Sequence, residues 1–500
     1  MTNNANNINS GNSGTVVCTP KRNSTLNKAE GQMAACKGGV VTAVAGIFFD
    51  GTGNNMFNVA STEDRGDSYN NGLSNVARAY EFYESTYNGE EVGKELSFYI
   101  DGIGTTRDQD DNDIGFGTGF GITGIKERAK LASRQLIDTV LIKSEETINM
   151  VELTIDVFGF SRGAATARHF ISLNSNPHTP RSSTNPITGQ SYSETFENYM
   201  YFLLNTSGNR QEIKLKINWR FAGLYETVSS YGIINLEDDV KQLGLMDLDK
   251  VKGIFHIVAA DEYREKFSIT PILTPHRKDK ITAFRRSEPG KNGYRQTIVI
   301  PGVHSDIGGG YNPVEEENNL ILYQSREFFS NSSQEPESKA LLDKMEKIKK
   351  RFIDDGWYKE QTNGSNDKIF IDIRNTGGNH WRYVLLASRK TIWNTYSYIP
   401  LHFMTQKAKL CGVPFDDESI YRTYDFSKYS ILKRSYNTLK SNELKIEISK
   451  DELKKLRSIY LHWSSRFNTQ KVLGISISPH SPRFNPKNNE EYQRLVINKL

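Results

Sequence analysis

Residues 151 to 170 read VELTIDVFGFSRGAATARHF, with the pentapeptide Gly159-Phe160-Ser161-Arg162-Gly163 set between an apolar β-branched run and a helix rich in small residues. No other segment constrains the fold as much. A G-x-S-x-G in that setting predicts a serine on a sharp strand-to-helix turn, its Oγ exposed at the edge of a sheet. The glycines leave room for backbone that a Cβ would obstruct, and Ala164, Ala165 and Ala167 let the helix lie close to the sheet. Val151, Leu153, Ile155 and Val157 read as a buried strand that Phe158 closes. The pentapeptide alone recurs by chance in many chains, and its competitor here is a surface Gly-Ser turn in a βα connection. The flanking strand and helix supply the specificity.

Around this segment the chain alternates. Candidate strands are Val40 to Phe49, Leu96 to Ile100, Val151 to Phe158, Ile217 to Leu224, Lys252 to Ala259 and Gln296 to Ile300. Helical spacing occurs at Ser74 to Glu84, Lys126 to Lys143, Arg162 to Leu173, Asp261 to Phe267 and Glu315 to Phe329. Such alternation means an α/β fold of the α/β-hydrolase kind, a mainly parallel sheet covered by helices. Three parts are expected: a polar, Asn/Ser/Gly-rich and disordered segment over 1–37, a catalytic domain over 38–335, and an accessory α-rich region over 336–500 that opens with a charged helix, Pro336 to Phe352.

Composition excludes several classes. A chain of 500 residues with 37% hydrophobic and 24% charged residues reads as globular with a polar surface. Its longest apolar stretch, 39–49, is broken by Thr42 and Gly46 and followed by Asp50, too short to cross a bilayer. The start, MTNNANNINSGNSG, has neither a basic n-region nor an apolar h-region, so no ordinary secretory signal is expected. Cys18, Cys36 and Cys411 are odd in number and far apart, which suits reduced structural thiols better than disulfides or a zinc knuckle. The net charge of +4 hides an asymmetry: residues 431–500 carry 14 Lys/Arg against 6 Asp/Glu. Basic residues interleaved with Tyr436, Tyr460, Trp463, Phe467, Phe484 and Tyr492 suit contact with an anionic membrane surface or nucleic acid. The plainer alternative is a solvated amphipathic helix around Asp451 to Tyr460.

A serine nucleophile needs a base, an acid that orients the base, and backbone donors for the oxyanion. His304 follows the apolar run TIVI and the turn Pro301-Gly302, a loop position from which an imidazole can reach a serine on the same sheet edge. His256 inside GIFHIVAA and His169 on the helix after the serine read as packed residues instead. For the acid, Glu226 ends a strand and precedes hydroxyl residues; Asp261, after the next strand, is the alternative. The turn FFDGTGNN, residues 48–55, offers N–H groups at Gly51 and Thr52 that pair with that of Arg162 as an oxyanion hole. An aspartyl phosphotransferase reading of Asp50-Gly51-Thr52 lacks its second aspartate, since Phe48 and Thr52 occupy the required places. The run GFGTGFG, Gly115 to Gly121, misses nucleotide-binding spacing at Phe120 and Ile122 and reads as a loop near the site mouth. No cofactor is called for, and metal dependence stays open.

Together FFDGTGNN, YIDGIGT (Tyr99 to Thr105), GFSRGAATARHF, GLYETV, PGVHSDIGGGY and IPLHFMTQKAKLCGVPF resemble, over about residues 44–415, the GFSRG-bearing phospholipase effectors of bacterial type VI secretion systems. The resemblance implies an antibacterial serine phospholipase that attacks acyl esters of membrane glycerophospholipids, with catalytic serine, acid and histidine at Ser161, Glu226 and His304. Glu226 departs from the family pattern, which shows aspartate before Thr-Val. The resemblance also implies synthesis in the bacterial cytoplasm, delivery into a target cell by a secretion spike or tube, a cognate immunity protein, and no nucleic-acid partner. Alternatives are a soluble carboxylesterase or lysophospholipase, and a catalytically weak scaffold that binds lipid or protein.

Overall fold

The structure, a computed structural model, describes residues 39–494 and 496, except 62–63, 113–122, 145–147, 176–178, 185–190, 197, 207–212, 230–237, 274–281, 329–338, 361–366, 378–379, 469, 473–474, 479 and 486–487. The expected 1–37 segment and the Gly115 to Gly121 loop, like Cys18 and Cys36, lie outside the described residues.

All six apolar runs singled out as strands form strands: β1 (Gly39–Phe49), β2 (Ser97–Ile100), β3 (Ile148–Phe160), β4 (Lys214–Tyr225), β5 (Gly253–Ala259) and β6 (Tyr294–Ile300). They pair in parallel in the order β6-β5-β4-β3-β1-β2. Antiparallel edges are added by Phe284–Arg286 beside β6 and by a hairpin, Ser85–Tyr87 and Glu90–Gly93, beside β1. Parallel strands are covered on both faces, which is why β5 is buried at all seven positions. Alternation divides the side chains between two cores. Phe48, Phe158 and Phe221 point to one, Ile47, Phe49, Ile155 and Ala222 to the other. Each fully buried phenylalanine contributes roughly 1.5–3 kcal/mol.

Helices α1 (Asn75–Tyr80), α2 (Ile125–Ile142) and α3 (Arg162–Ser175) follow the sequence reading, although α1 is shorter than expected. Ser74 caps α1, its Oγ accepting from Ala77 N at 3.0 Å. Ala129, Ala132 and Leu136 of α2 and Ala164, Ala167 and Phe170 of α3 cover one face. A short helix, α4 (His304–Gly308), follows β6.

Two helical expectations fail. In place of the helix expected over Glu315 to Phe329 stands a strand, β7 (Val314–Phe328), paired with β9 (His380–Trp393), which also pairs β8 (Lys368–Gly377). The antiparallel ladder to β9 and the burial of Leu320 and Leu322 outweigh the helical spacing. Glu317 is held there too: its carboxylate takes two bonds from Arg389 of β9, at 2.8 and 2.9 Å, and one from Tyr358 Oη at 2.9 Å. Asp261 to Phe267 is not helical either. Glu262 accepts from Arg264 N, the Arg264 guanidinium lies over the Phe267 ring, and Arg264 bridges to Pro482.

Those pairings cross the boundary expected near 335, because β7 precedes it and β9 follows it. Beyond 335 the chain is helix-rich and also carries strands: α5 (Lys339–Asp354), β8, β9, α6 (Tyr398–Leu410), a short helix over Asp417–Thr423, α7 (Ser430–Asn442), α8 (Lys450–Tyr460) and short strands. Leu401, Phe403 and Met404 of α6 cover the second face of the large sheet together with Val76 of α1. The aromatic residues of the basic tail point inward. Tyr436, Tyr460 and Trp463 are buried, whereas Lys433, Lys440, Lys454 and Lys455 are exposed. After α8 the chain runs over the loops at the carboxyl ends of the strands: Ser464 Oγ donates to Glu262 at 3.0 Å, and Arg483 N to Tyr263 O at 2.9 Å.

The turn after β3 tolerates no Cβ at Gly163, where a methyl group would stand 2.2 Å from the Asp50 carbonyl oxygen and 2.4 Å from that of Phe49. Both are backbone atoms of a central strand end and cannot yield. Gly163→Ala is therefore expected to lower the thermal midpoint clearly, overpacking costing about 1–3 kcal/mol. Gly253→Ala is the control, its nearest neighbour being the Cys411 sulfur at 3.3 Å. Equal midpoints for the two variants would contradict this packing.

Candidate active site

Every expected site residue follows the carboxyl end of a parallel strand. β3 ends at Phe160 and delivers Ser161, β4 delivers Glu226, β5 leads to Asp261, β6 to His304, and β1 to Asp50-Gly51-Thr52. In an open α/β sheet this edge is where ligands bind.

Ser161 has φ +58°, in the left-handed region. Such a backbone costs of order 1–3 kcal/mol and persists where its surroundings fix it. Here Ser161 N–H donates to Tyr225 O at 3.0 Å, and Ser161 O accepts from Ala164 N at 3.0 Å and from Val228 N at 3.3 Å. The serine is thus tied to its own helix and to the strand that carries Glu226.

Glu226 is also left-handed, at φ +52°, and wholly buried. Its N–H donates to Ile257 O at 2.9 Å, while His256 Nε2 accepts from the next residue, Thr227 N, at 3.3 Å. His256 is buried within β5 and His169 Nδ1 meets Leu243 O at 2.8 Å, so both histidines pack as expected. The Glu226 carboxylate takes Ala259 N–H on Oε1 at 2.6 Å and His304 Nδ1 on Oε2 at 3.0 Å. An ionised carboxylate only accepts, so Nδ1 carries the hydrogen and neutral His304 keeps Nε2 as its base.

A fourth group was invisible in the sequence. Arg494 donates from Nη1 to Glu226 Oε1 at 2.9 Å and from Nη2 to Oε2 at 2.7 Å. It lies 268 positions from Glu226, and no local pattern marks it among the tail cations. Burial alone would push the Glu226 carboxyl up, but Arg494 and His304 hold it ionised, down to about 2. Burial lowers His304 below the usual imidazole value, against the opposing pull of Glu226, which keeps the ring neutral at neutral pH.

The His304 ring lies against Phe160, with centroids 4.7 Å apart, and meets Phe267 edge-on at 4.9 Å. Gly308 makes this packing possible, since a Cβ there would stand 2.0 Å from the Phe160 ring. Phe160 immediately precedes Ser161, so the His304 ring packs on the serine's chain neighbour. His304 N–H donates to Glu262 Oε2 at 3.2 Å, and Glu262 pairs with Arg264 at 2.9 Å, which holds that carboxyl well below its usual range.

Asp261, the alternative acid, is directed elsewhere. Its Oδ2 accepts from Gly302 N at 2.8 Å and its Oδ1 from Arg457 Nη2 at 3.0 Å, so of the two candidates Glu226 is the one hydrogen-bonded to His304. Asp306 is likewise engaged, receiving Val303 N at 3.0 Å and His462 Nδ1 at 2.7 Å.

The oxyanion loop differs from expectation at one point. Gly51 N–H donates to Asp50 Oδ1 at 2.7 Å and so is committed to a side chain. Asp50 is buried, its carboxyl pushed up to about 6 by that burial, and Tyr99 Oη donates to it. Tyr99 belongs to the YIDGIGT segment, whose chain pins the loop through Asp50 N to Ile100 O at 3.0 Å and Gly53 N to Ile103 O at 3.1 Å. Thr52 Oγ1 accepts from Arg162 Nε at 2.7 Å, joining the two remaining expected donors across the turn. Among the described residues no group of three His, Cys, Asp or Glu side chains is arranged to hold a metal ion, and no helix is long and apolar enough to cross a membrane.

Glu226 and Glu262 both have folded-state pKa values below the unfolded value of 4.5. Their stabilisation is present above that value and is lost as pH falls from about 4.5 towards the folded values. Denaturant unfolding between pH 7 and 3 is expected to show this loss. Glu262→Gln should be less stable at pH 7, because Arg264 loses its partner, and should lose less on acidification. A variant with the wild-type pH slope would contradict the assignment.

The family model described as the type VI secretion system phospholipase effector Tle1-like catalytic domain matches residues 46–327. No curated protein matches the chain. Among solved structures, the chain is similar to the Tle1 effector bound to the VgrG spike of the type 6 secretion system, with a TM-score of 0.58, 20% identity, and coverage of 92% of this chain and 94% of that one. A weaker likeness, with a TM-score of 0.37 and 16% identity over 83% of this chain and 52% of the other, is to an uncharacterized protein from Pseudomonas aeruginosa. The first likeness is one of fold, and the matched segment runs through all six parallel strands except the start of β1. Since the family match takes in more than half of the sequence, the chain belongs to the Tle1-like phospholipase effectors of the type VI secretion system.

Proposed function

We propose that Ser161, His304 and Glu226 form the catalytic triad of this phospholipase effector. The reading rests most on one observation: His304 donates Nδ1–H to Glu226 at 3.0 Å while its ring packs on Phe160, the neighbour of a serine held in a left-handed turn. His304 Nε2 takes the Ser161 proton as Oγ attacks the acyl carbonyl of a glycerophospholipid. Glu226 keeps the tautomer and balances the imidazolium. The N–H groups of Arg162 and Thr52 bond the oxyanion, with Gly51 shaping the loop rather than donating. Collapse expels the lysophospholipid alkoxide, which receives the proton from His304. Water, deprotonated by the same nitrogen, then attacks the acyl-enzyme and releases the fatty acid.

Delivery and protection complete the proposal. The Tle1 effector to which the chain is similar was solved on a VgrG spike. A spike component is the carrier we assign to this chain, with the membrane of a rival bacterium as target and a cognate immunity protein guarding the producer. Exposed Lys433, Lys440, Lys454 and Lys455 are the groups left to meet an anionic membrane surface, each worth about 1 kcal/mol there.

The test compares fatty-acid release from phosphatidylglycerol vesicles with hydrolysis of a short soluble ester. Ser161→Ala is expected to lose about 10⁶-fold on both substrates. Glu226→Gln should lose up to about 10⁴-fold, as when a triad aspartate becomes an amide. Asp261→Asn should stay within tenfold. Activity of Ser161→Ala near wild type would overturn the reading, and the reverse ranking of the two acid variants would move the acid to Asp261. Salt that lowers vesicle hydrolysis but spares the soluble ester would accord with contact through the lysines.

A further inference from the structure

The Glu226 carboxylate is held from both sides of the molecule. Ala259 N–H and His304 Nδ1 reach it from the strand ends, and Arg494 closes over it from the far end of the chain. All three guanidinium nitrogens of Arg494 are engaged. Nη1 also donates to Ala259 O at 3.1 Å, while Nε and Nη2 donate to Phe267 O at 3.3 and 3.2 Å. The side chain is 8% exposed and the carboxylate 0%. One planar group therefore fixes three things at once: the acid, the end of β5, and the backbone of Phe267, whose ring meets His304 edge-on.

We propose that Arg494 is a positioning residue for the triad, so that the active site is complete only when the C-terminal segment is docked. The inference rests on the triad reading above. Its physical basis is the length of glutamate. Compared with aspartate, Glu226 has one more rotatable bond, and its carboxylate needs more to hold it in line with Nδ1. A bidentate guanidinium fixes both oxygens in one plane, a geometry that lysine, a point charge, does not reproduce. Arg494 also offsets the negative charge that would otherwise be left beside an uncharged imidazole.

The charges facing His304 and Glu226 are Glu262 and Arg264 from the loop after β5 and Arg494 from the tail; His256 of β5, beside Glu226, is kept uncharged by its burial and by Arg168 of α3. Removing Arg494 leaves the two carboxylates with less positive charge around them. The His304 imidazolium is then better stabilised, and Glu226 itself binds a proton more readily. Both effects move the acid limb of kcat in the same direction, to higher pH.

The experiment uses the full-length protein and p-nitrophenyl butyrate, a soluble ester. It measures kcat, KM and the pH profile of wild type, Arg494→Ala, Arg494→Lys and Glu226→Gln, with active sites counted by a fluorophosphonate. Arg494→Ala is expected to lose about 10²-fold in kcat per titrated site with little change in KM, the scale of an ångström-sized misplacement. Its acid limb should rise by roughly one pH unit, the order of a single charge interaction between buried groups. Arg494→Lys should recover part of the limb but not of kcat, and methylguanidinium should restore activity to Arg494→Ala alone. Should Arg494→Ala not fold, Arg494→Lys decides by the same two readouts. Wild-type kcat and an unmoved acid limb in either variant would overturn the proposal. So would a loss fully accounted for by fewer titrated sites, which would mean that Arg494 serves folding alone. A Glu226→Gln variant as active as wild type would instead overturn the triad reading beneath it.

Discussion

The hydrogen bond from Ser161 N–H to Tyr225 O sits where two central parallel strands end together, and the site depends on it. On one side it fixes a serine whose backbone would not hold a left-handed turn unaided. On the other it fixes the residue before Glu226, whose backbone is left-handed too. Two strained residues in neighbouring strand ends support each other through Val228 N, which returns to Ser161 O at 3.3 Å. The parallel ladder places Ser161 and Glu226, and β6 brings His304 to Glu226. Close packing completes the arrangement: Phe160 fills the space left by the missing Cβ of Gly308, and its ring is the surface on which the imidazole rests.

Charge is the second constraint. Burying a carboxylate without partners is costly, and five acids of the described interior are paired with arginines: Glu226 with Arg494, Glu262 with Arg264, Asp261 with Arg457, Glu317 with Arg389 and Asp156 with Arg220. Three of these pairs ring the candidate site, and two take their arginine from beyond residue 450. The basic balance of the tail is thus partly an internal counter-charge for the acids at the strand ends. Tyr436, Tyr460 and Trp463 of the same region are buried, and the chain after α8 runs over the loops that carry these acids.

The parts legible in the sequence were those fixed by short-range pattern. Apolar runs bounded by turns gave the six parallel strands, and G-x-S-x-G between a strand and a small-residue helix gave the elbow. A histidine just past the end of β6 and a carboxylate at the end of β4 pointed to His304 and Glu226, which the structure joins by a hydrogen bond. What stayed hidden depended on partners far away in the chain. Glu315 to Phe329 has helical spacing, yet the ladder of β9 and the burial of Leu320 and Leu322 set the strand β7 there. Asp261 to Phe267 has the spacing of a short helix, yet Glu262, Arg264 and Pro482 hold it open. The turn after β1 has the pattern of an oxyanion loop, yet the neighbouring Asp50 carboxylate takes the Gly51 N–H. Arg494 had no signal at all, because a lone arginine among tail cations looks the same whether it meets solvent or a buried acid.

We propose that Ser161 is the nucleophile and His304 its base. Labelling the purified protein with a fluorophosphonate and locating the adduct by peptide mass spectrometry tests it most directly. A single adduct is expected on the peptide that contains Ser161, formed rapidly in wild type and much more slowly in His304→Gln, which lacks the base. An adduct on another residue, or an unlabelled Ser161 in a protein that still releases fatty acid, would contradict it.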